Sequence, residues 1–311
     1  MEYRALGDSD LRVSEICLGT WTTFGGSLAD EDAVALVDTA FDLGINFFDT
    51  ANVYSDGRSE QVLGRALAKR PRDSYVLATK VWGTAPDGGR GLSRKQVLHQ
   101  IDLSLERLDA EFVDLYQCHA WDPDVPLAET LEAMTEVVEA GKVRYVGCSN
   151  WTGPQIQEAV DLARERGYVK IVSSQPEYSL LVREPETDVI PVSAANGISQ
   201  VVYSPLAQGV LSGKYAPGQA PVEGTRAAAR NEWMSEYLED SVLERVQSLR
   251  PIADGLRITT AQLSLAWILR EPNVASAIVG SSRPEQLRDN ADASGVDLDA
   301  ATVDAIDAVF A

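Results

Sequence analysis

The chain has 311 residues, 45% of them hydrophobic, with 47 acidic against 27 basic side chains and a formal charge of −20. That length is ordinary for one (β/α)8 barrel and long for one sandwich. The charge opposes nucleic acid and anionic membrane surfaces, so a phosphate-bearing ligand needs a local basic pocket.

Arg4–Leu6 and Leu11–Val13 flank the turn Gly7-Asp8-Ser9-Asp10, which predicts a small hairpin. Ile16–Gly19 is a short strand, followed by Thr20 and Trp21. Ala33, Val34, Val37, Ala40 and Phe41 recur at helical spacing until Gly44. Asn46–Asp49 is a strand that ends on a carboxylate. Asn52, Ser55, Asp56 and Gly57 form a loop that carries Tyr54, and Val62, Leu63, Ala66 and Leu67 begin a helix. Tyr75–Thr79 is a strand with Lys80 at its end. Ser93 with Gln96 predicts a capping box for the helix of Val97, Ile101, Leu105 and Leu108.

Phe112–Cys118 is a strand with His119 at its end. Pro126-Leu127 opens a helix that closes at Gly141. Val143–Cys148 runs into Ser149-Asn150, and Thr152 with Gln155 caps a helix stopped by Gly167. Ile171–Ser174 ends in Gln175, a weaker helix spans 187–195, and Val201-Val202 leads to Tyr203-Ser204-Pro205. Residues 206–236 hold Lys214, Arg226 and Arg230 without a period, the pattern of a functional loop. Helices are predicted over 240–254 and 260–270, the second capped by Thr259 with Gln262. Val274–Val279 ends in Gly280-Ser281-Ser282. Ser282 with Glu285 predicts a capping box with Pro284 in the first turn, and a last helix covers 298–309.

Eight strands alternate with helices after the hairpin, and no composition shift marks a linker. The expectation is one domain over 1–311: a closed (β/α)8 TIM barrel with an N-terminal β-hairpin and extra helices and a long loop near the C-terminus. No G-x-G-x-x-G follows the first strand and no G-x-x-x-x-G-K occurs. Three cysteines without C-x-x-C spacing argue against a disulfide framework or a zinc site, so no metal is expected. Cys17, Cys118 and Cys148 each fall in a predicted buried strand. MEYRALGDSD lacks an apolar signal region, and no apolar run approaches about 18 residues. The expectation is a cytoplasmic protein without membrane insertion.

In a barrel, residues just past the strands converge on one mouth. Here they include Trp21, Asp49, Tyr54, Lys80, Trp82, His119, Trp121, Ser149, Asn150, Trp151, Gln175 and Tyr203. Rim packing is the ordinary role of a single tryptophan and is preferred for Trp151. Trp21, Trp82 and Trp121, with Tyr54 and His119, are expected to wall a substrate pocket. A free tyrosine titrates at about 10. An ammonium about 4 Å away, at an effective dielectric of about 20, contributes roughly 4 kcal/mol toward the phenolate. Lys80 is therefore expected to lower Tyr54, Asp49 to keep Lys80 charged, and His119 to orient a carbonyl oxygen or share the proton. No side chain supplies a hydride. Lys214, Arg226 and Arg283 stand against the acidic trend, and Ser282 opens a helix whose amides favour an anion. Ser149, Asn150 and Gln175 suit an amide edge, with Tyr203 stacked on a ring. A nicotinamide dinucleotide would use all of these.

The stretches LRVSEICLGTWTTFGG, FFDTANVYSDGRSEQVLG, TKVWG, RGLSRK, DLYQCHAWD, GCSNW, QPEYSLL, YSPLAQGVLSGKY and IVGSSRPEQLRDN occur in order over nearly the whole chain. In them the chain resembles the aldo-keto reductases, most closely the branch that includes potassium-channel β subunits. The resemblance implies NADPH-dependent reduction of aldehydes and ketones without a Rossmann fold, with NADH also admitted. It implies Tyr54 as general acid, Lys80 and Asp49 as its pKa partners, and His119 as the carbonyl-orienting residue. Ser149, Asn150 and Gln175 would hold the carboxamide over Tyr203. Gly19, Thr20, Trp21, Asp49, Pro205 and Ala207 would also face the cofactor. Ser204, Leu206, Gly209, Lys214 and Arg226 would follow the pyrophosphate and 2′-phosphate. Gly280, Ser282, Gln286, Asp289 and Asn290 would embrace the adenosine end, with Arg283 either gripping the 2′-phosphate or facing solvent.

Channel β subunits resemble this chain but carry asparagine in place of the mouth histidine, so His119 favours an enzyme. The expected partner is a small-molecule carbonyl substrate, and a homo-oligomer is left open. The alternative is a slow-turnover, redox-sensing nicotinamide-binding regulator. A barrel aldolase using Lys80 as a Schiff base is disfavoured, because an ammonium paired with Asp49 is a poor nucleophile.

Overall fold

The structure is a computed structural model that describes residues 1–220, 224–228 and 234–310. Arg230 lies outside the described residues. Strands β1 (Tyr3–Ala5) and β2 (Arg12–Ser14) form the antiparallel hairpin. The closed barrel follows in chain order: β3 (Ile16–Gly19), β4 (Phe47–Asp49), β5 (Val76–Val81), β6 (Val113–Cys118), β7 (Val143–Ser149), β8 (Ile171–Gln175), β9 (Ser199–Val202) and β10 (Val274–Val279). Every neighbouring pair is parallel, and β10 closes onto β3. The expected (β/α)8 barrel with its hairpin is the fold observed.

The near-continuous apolar runs of the strands follow from burial on both faces. Outward residues such as Leu18, Phe48 and Leu77 join the cluster under the helices. Inward residues Cys17, Phe47, Val76, Ala78, Leu115 and Val201 form a second cluster with Leu6, Leu11 and Val13 of the hairpin. The hairpin thus closes the end of the barrel where the strands begin. All three cysteines are buried and free.

The helices are α1 (Asp30–Asp42), α2 (Arg58–Leu67), α3 (Arg94–Leu108), α4 (Leu127–Glu139), α5 (Gly153–Arg166), α6 (Val189–Ala195), α7 (Asp240–Gln247), α8 (Arg250–Leu256), α9 (Thr260–Leu269), α10 (Pro284–Ala291) and α11 (Ala300–Phe310). The capping boxes at Thr152–Gln155 and Thr259–Gln262 both form. Those expected at Ser93 and Ser282 do not. At α3, Ser93 makes no side-chain cap, and the Arg94 N–H in the first turn donates instead to Glu129 Oε1 of α4 at 2.9 Å. At α10, the Ser282 N–H and hydroxyl both donate to Gln286 Oε1, and the helix starts two residues later. The single helix expected over 240–254 is two, because Pro251 lacks the N–H that would continue the α7 ladder. Among the described residues, no helix is long and apolar enough to cross a membrane.

Helices α2 and α3 pack with Gly64 against the end of α3. A β-carbon at Gly64 would stand 2.4 Å from the Leu108 carbonyl oxygen. Gly64→Ala gains about 1 kcal/mol of helix propensity but pushes two backbones apart, a change that costs about 1–3 kcal/mol and more against rigid backbone. The expected result is a net loss of stability in urea unfolding; an unchanged or raised midpoint would mean the two helices separate freely.

Candidate active site

The site begins with two neighbouring strands. Asp49 is the last residue of β4 and stands in register with Ala78 of β5. Strand alternation sends Lys80, two residues beyond Ala78, to the same inner face. Lys80 is fully buried, and its Nζ donates to Asp49 Oδ1, to the Thr50 carbonyl at 2.8 Å and to the Tyr54 hydroxyl at 3.3 Å. Burial is the largest influence and pushes the ammonium down, but Asp49 and Tyr54 together outweigh it, and Lys80 is raised above its ordinary value. The other Asp49 oxygen accepts Gln175 Nε2 at 3.0 Å and Gln117 Nε2 at 3.4 Å. Neither carboxylate oxygen is wasted.

Tyr54 hangs from the loop between β4 and α2. Ser55, Asp56 and Gly57 behind it are all left-handed, with φ of 48°, 53° and 80°. Its hydroxyl lies 3.4 Å from His119 Nε2, and the two rings meet edge to face. His119 follows β6, its N–H bonded to the Val81 carbonyl at 2.9 Å. Burial and then the Lys80 charge drive its imidazole down to about 3, so it is neutral at physiological pH.

One expectation is reversed. The Lys80 charge alone predicts a Tyr54 below its ordinary value, yet Tyr54 is raised. Burial is the largest cause, Lys80 pulls the other way, and Asp49 adds to the rise. The phenol therefore holds its proton at neutral pH, while Lys80 limits the cost of releasing it.

The remaining strand ends fall around this centre. Ser149 Oγ donates to the Gln175 carbonyl at 2.8 Å, Asn150 Nδ2 donates to Ser149 Oγ at 3.1 Å, and the Tyr203 hydroxyl donates to Asn150 Oδ1 at 2.9 Å. Trp21, Trp82 and Trp121 are half-buried on the mouth loops, whereas Trp151 is 3% exposed and packs edge-on against Trp121. Gly19 ends β3, and Thr20 donates to the Asp49 carbonyl through both its N–H and its hydroxyl.

After β9, residues Ser204 to Gly209 turn sharply. Ser204, Ala207 and Gln208 all have positive φ. Among the described residues, nine non-glycine residues have positive φ; Asp109 and Arg257 cap helix ends, and the other seven lie in mouth loops. Arg226 reaches across to Gln208 Oε1 and to Thr22 Oγ1 at 3.0 Å. Lys214 Nζ lies over Gly209 and the Tyr215 ring. Gly280, Ser282 and Arg283 are exposed beyond β10. Asp289 accepts from Thr259 and Gln262, so it braces α9 against α10. Asn290 is buried.

Sequence reasoning missed Gln117, Thr50 and Thr22. Gln117 was findable: it precedes His119 by two on β6 and so shares its inward face. The Thr50 carbonyl and Thr22 hydroxyl carried no signal, since both act through fold geometry.

A nicotinamide dinucleotide is tested by what these residues still lack. Ser281 Oγ, just past β10, is buried with no hydrogen-bond partner among the described residues, beside Gly280, around which the space is open. Arg226 and Lys214 have no carboxylate within ion-pair distance among the described residues, in a chain of charge −20. Unpaired cations at one end and amide-bearing side chains at the other suit a ligand with phosphates and a carboxamide.

A closed parallel barrel thus carries a buried phenol–ammonium–carboxylate chain at its mouth. Residues 15–311 match the Aldo/keto reductase family. The chain is 40% identical over 296 residues to the "Probable voltage-gated potassium channel subunit beta" of Arabidopsis thaliana, covering 93% of this chain and 90% of that protein. It is 39% identical over 317 residues to the protein of the same name from Oryza sativa subsp. japonica, covering 99% and 96%. The chain belongs to the aldo/keto reductase family, whose members are oxidoreductases.

The depressed imidazole gives a pH test. As pH falls from 6.5 to about 3, the unfolded chain binds a proton on His119 that the folded chain refuses, so stability is lost through that window. The wild-type unfolding free energy should therefore fall more steeply there than that of His119→Asn. Parallel curves would mean the imidazole charges freely in the fold.

Proposed function

We propose that the protein catalyses NADPH-dependent reduction of aldehydes and ketones to alcohols, with Tyr54 as the proton donor. The reading rests above all on one observation: the Tyr54 hydroxyl lies 3.3 Å from a buried, charged Lys80 and 3.4 Å from a neutral His119. When bound, a reduced nicotinamide supplies the hydride. The chain supplies everything else. Neutral His119 donates its Nε2–H to the carbonyl oxygen and sets its direction. Tyr54 gives its proton to the same oxygen as negative charge grows there, and Lys80 stabilises the phenolate left behind. Asp49 keeps Lys80 charged and aimed. Trp21, Trp82 and Trp121 wall the substrate and exclude water.

Ser149, Asn150 and Gln175 would hold the carboxamide with Tyr203 beneath the ring. Lys214, Arg226 and Arg283 would take the phosphates, and Gly280, Ser282, Gln286, Asp289 and Asn290 the adenosine. This assignment favours NADPH over NADH and a cytoplasmic setting where that cofactor is reduced.

The relatives' name, potassium channel subunit beta, supports a second reading: a slow-turnover nicotinamide-binding regulator of a channel. His119, a neutral hydrogen-bond donor beside the phenol, favours the enzyme. A multiple-turnover rate matching the single-turnover oxidation of bound cofactor by a reactive aldehyde would support the enzyme. A steady-state rate far below it would support the regulator.

Tyr54→Phe should lower kcat by about 10²–10⁴-fold while NADPH binding, read by fluorescence quenching, stays within about twofold. Undiminished turnover would remove Tyr54 from the role. Lys80→Met should also abolish turnover. It leaves Asp49 buried without its cation, so thermal stability is measured alongside, and full activity in a folded Lys80→Met protein would contradict the electrostatic role.

A further inference from the structure

We infer that Glu60, Thr79 and Arg107 form a clamp behind the barrel wall that fixes the Tyr54 hydroxyl against Lys80, making Glu60 and Thr79 positioning residues for the proton transfer. The inference rests on the reading of Tyr54 as the proton donor.

Glu60 belongs to α2, which starts four residues after Tyr54. It is a carboxylate with no exposed surface. Its Oε1 accepts the Thr79 hydroxyl at 2.6 Å, and its Oε2 accepts Arg107 Nε at 2.6 Å. Thr79 immediately precedes Lys80 on β5. Strand alternation sends Thr79 outward to Glu60 and Lys80 inward to Asp49 and Tyr54. One strand therefore holds the amine on one face and the helix that ends the tyrosine loop on the other.

Arg107 completes the grip. A β-carbon at Gly57 would meet Arg107 Cδ at 2.9 Å and Nε at 3.0 Å, so the arginine lies directly on the last loop residue before α2. A second tie runs beside the first. Ser59 Oγ donates to Thr20 Oγ1 at 2.7 Å and lies 3.2 Å from Thr50 Oγ1, and the Thr50 carbonyl accepts from Lys80 Nζ at 2.8 Å. The loop between these anchors contains Ser55 and Asp56 in the left-handed region, uncommon for a serine and better tolerated by an aspartate.

A buried charge pair is an expensive way to fill space, since well-packed apolar residues often serve stability as well or better. A fixed phenol–ammonium distance explains its use here. Misplacement by about 1 Å can cost on the order of 10²-fold in rate.

The test uses the full-length protein and does not depend on turnover. Thr79→Val removes the hydroxyl and keeps the shape and the Glu60–Arg107 pair. Thr79→Ser keeps the hydroxyl. A fluorotyrosine at position 54, acidic enough to titrate within the folded range, is followed by fluorine NMR. In Thr79→Val the phenol should titrate higher than in wild type, because Lys80 no longer offsets burial as well, and kcat should fall about tenfold with KM little changed. Thr79→Ser should restore both. Arg107→Lys, which keeps the charge but loses the planar fork, should move the phenol in the same direction and decides the matter if Thr79→Val does not fold. An unmoved phenol titration, or a serine variant no better than valine, overturns the clamp. A wild-type protein with no carbonyl reduction at all overturns the proposed function instead, while the phenol titration still reports on the clamp.

Discussion

The site depends on keeping one ammonium charged where no water reaches it. Desolvating an ion of that size costs several kcal/mol even after relaxation. Lys80 meets that cost with a carboxylate, a backbone carbonyl and a phenol, all from the end of β4 and the loop that follows it. Asp49 is itself satisfied by two glutamine amides from β6 and β8. Removing Asp49 or Lys80 leaves the other charge buried without its counter-ion, so those two stand or fall together. A closed parallel barrel suits such a network. Its inward side chains converge from several strands, and its far end here is sealed by Leu6, Leu11 and Val13 of the hairpin.

Much of this was legible from residue order. Asp49, Lys80 and His119 each follow an apolar run, and barrel topology alone carries three strand ends to one mouth. The directions of the acidities were not legible. Proximity of Lys80 to Tyr54 was inferable from the strand ends, but burial is a property of the assembled mouth, and burial dominates Tyr54. Of the two capping boxes that fail to form, the helix after Ser93 has its first N–H met by Glu129 of α4, a distant residue, while Ser282 bonds Gln286 and lies one residue before the N-cap of α10. Glu60 reads in sequence as an ordinary helix-surface acid. Only its placement against Thr79 and Arg107 distinguishes it.

The charge distribution separates the mouth into two halves. Around Tyr54 the charges are buried and balanced within the set. Around Arg226, Lys214 and Arg283 they are cationic and unmatched by carboxylates among the described residues. In an acidic protein, long-range repulsion of an anion falls off within a Debye length of about 8 Å at physiological salt, so a short-range basic pocket can still prevail. Arg226 adds a structural consequence. By bonding Gln208 after β9 and Thr22 after β3, it spans two loops on either side of β10.

The raised phenol also bears on the direction of the proposed chemistry. A group that gives a proton must hold it in the resting state, and burial ensures that Tyr54 does. A strongly depressed phenol would sit ionised and suit the reverse reaction, abstraction from an alcohol. Here the neutral phenol is paired with a neutral imidazole, so neither draws the other's proton before a substrate oxygen arrives. The Lys80 charge then acts mainly on the phenolate, a species absent until the proton has moved. The interaction is thus stronger after transfer than before it, which is the condition for lowering a barrier instead of merely binding a ligand.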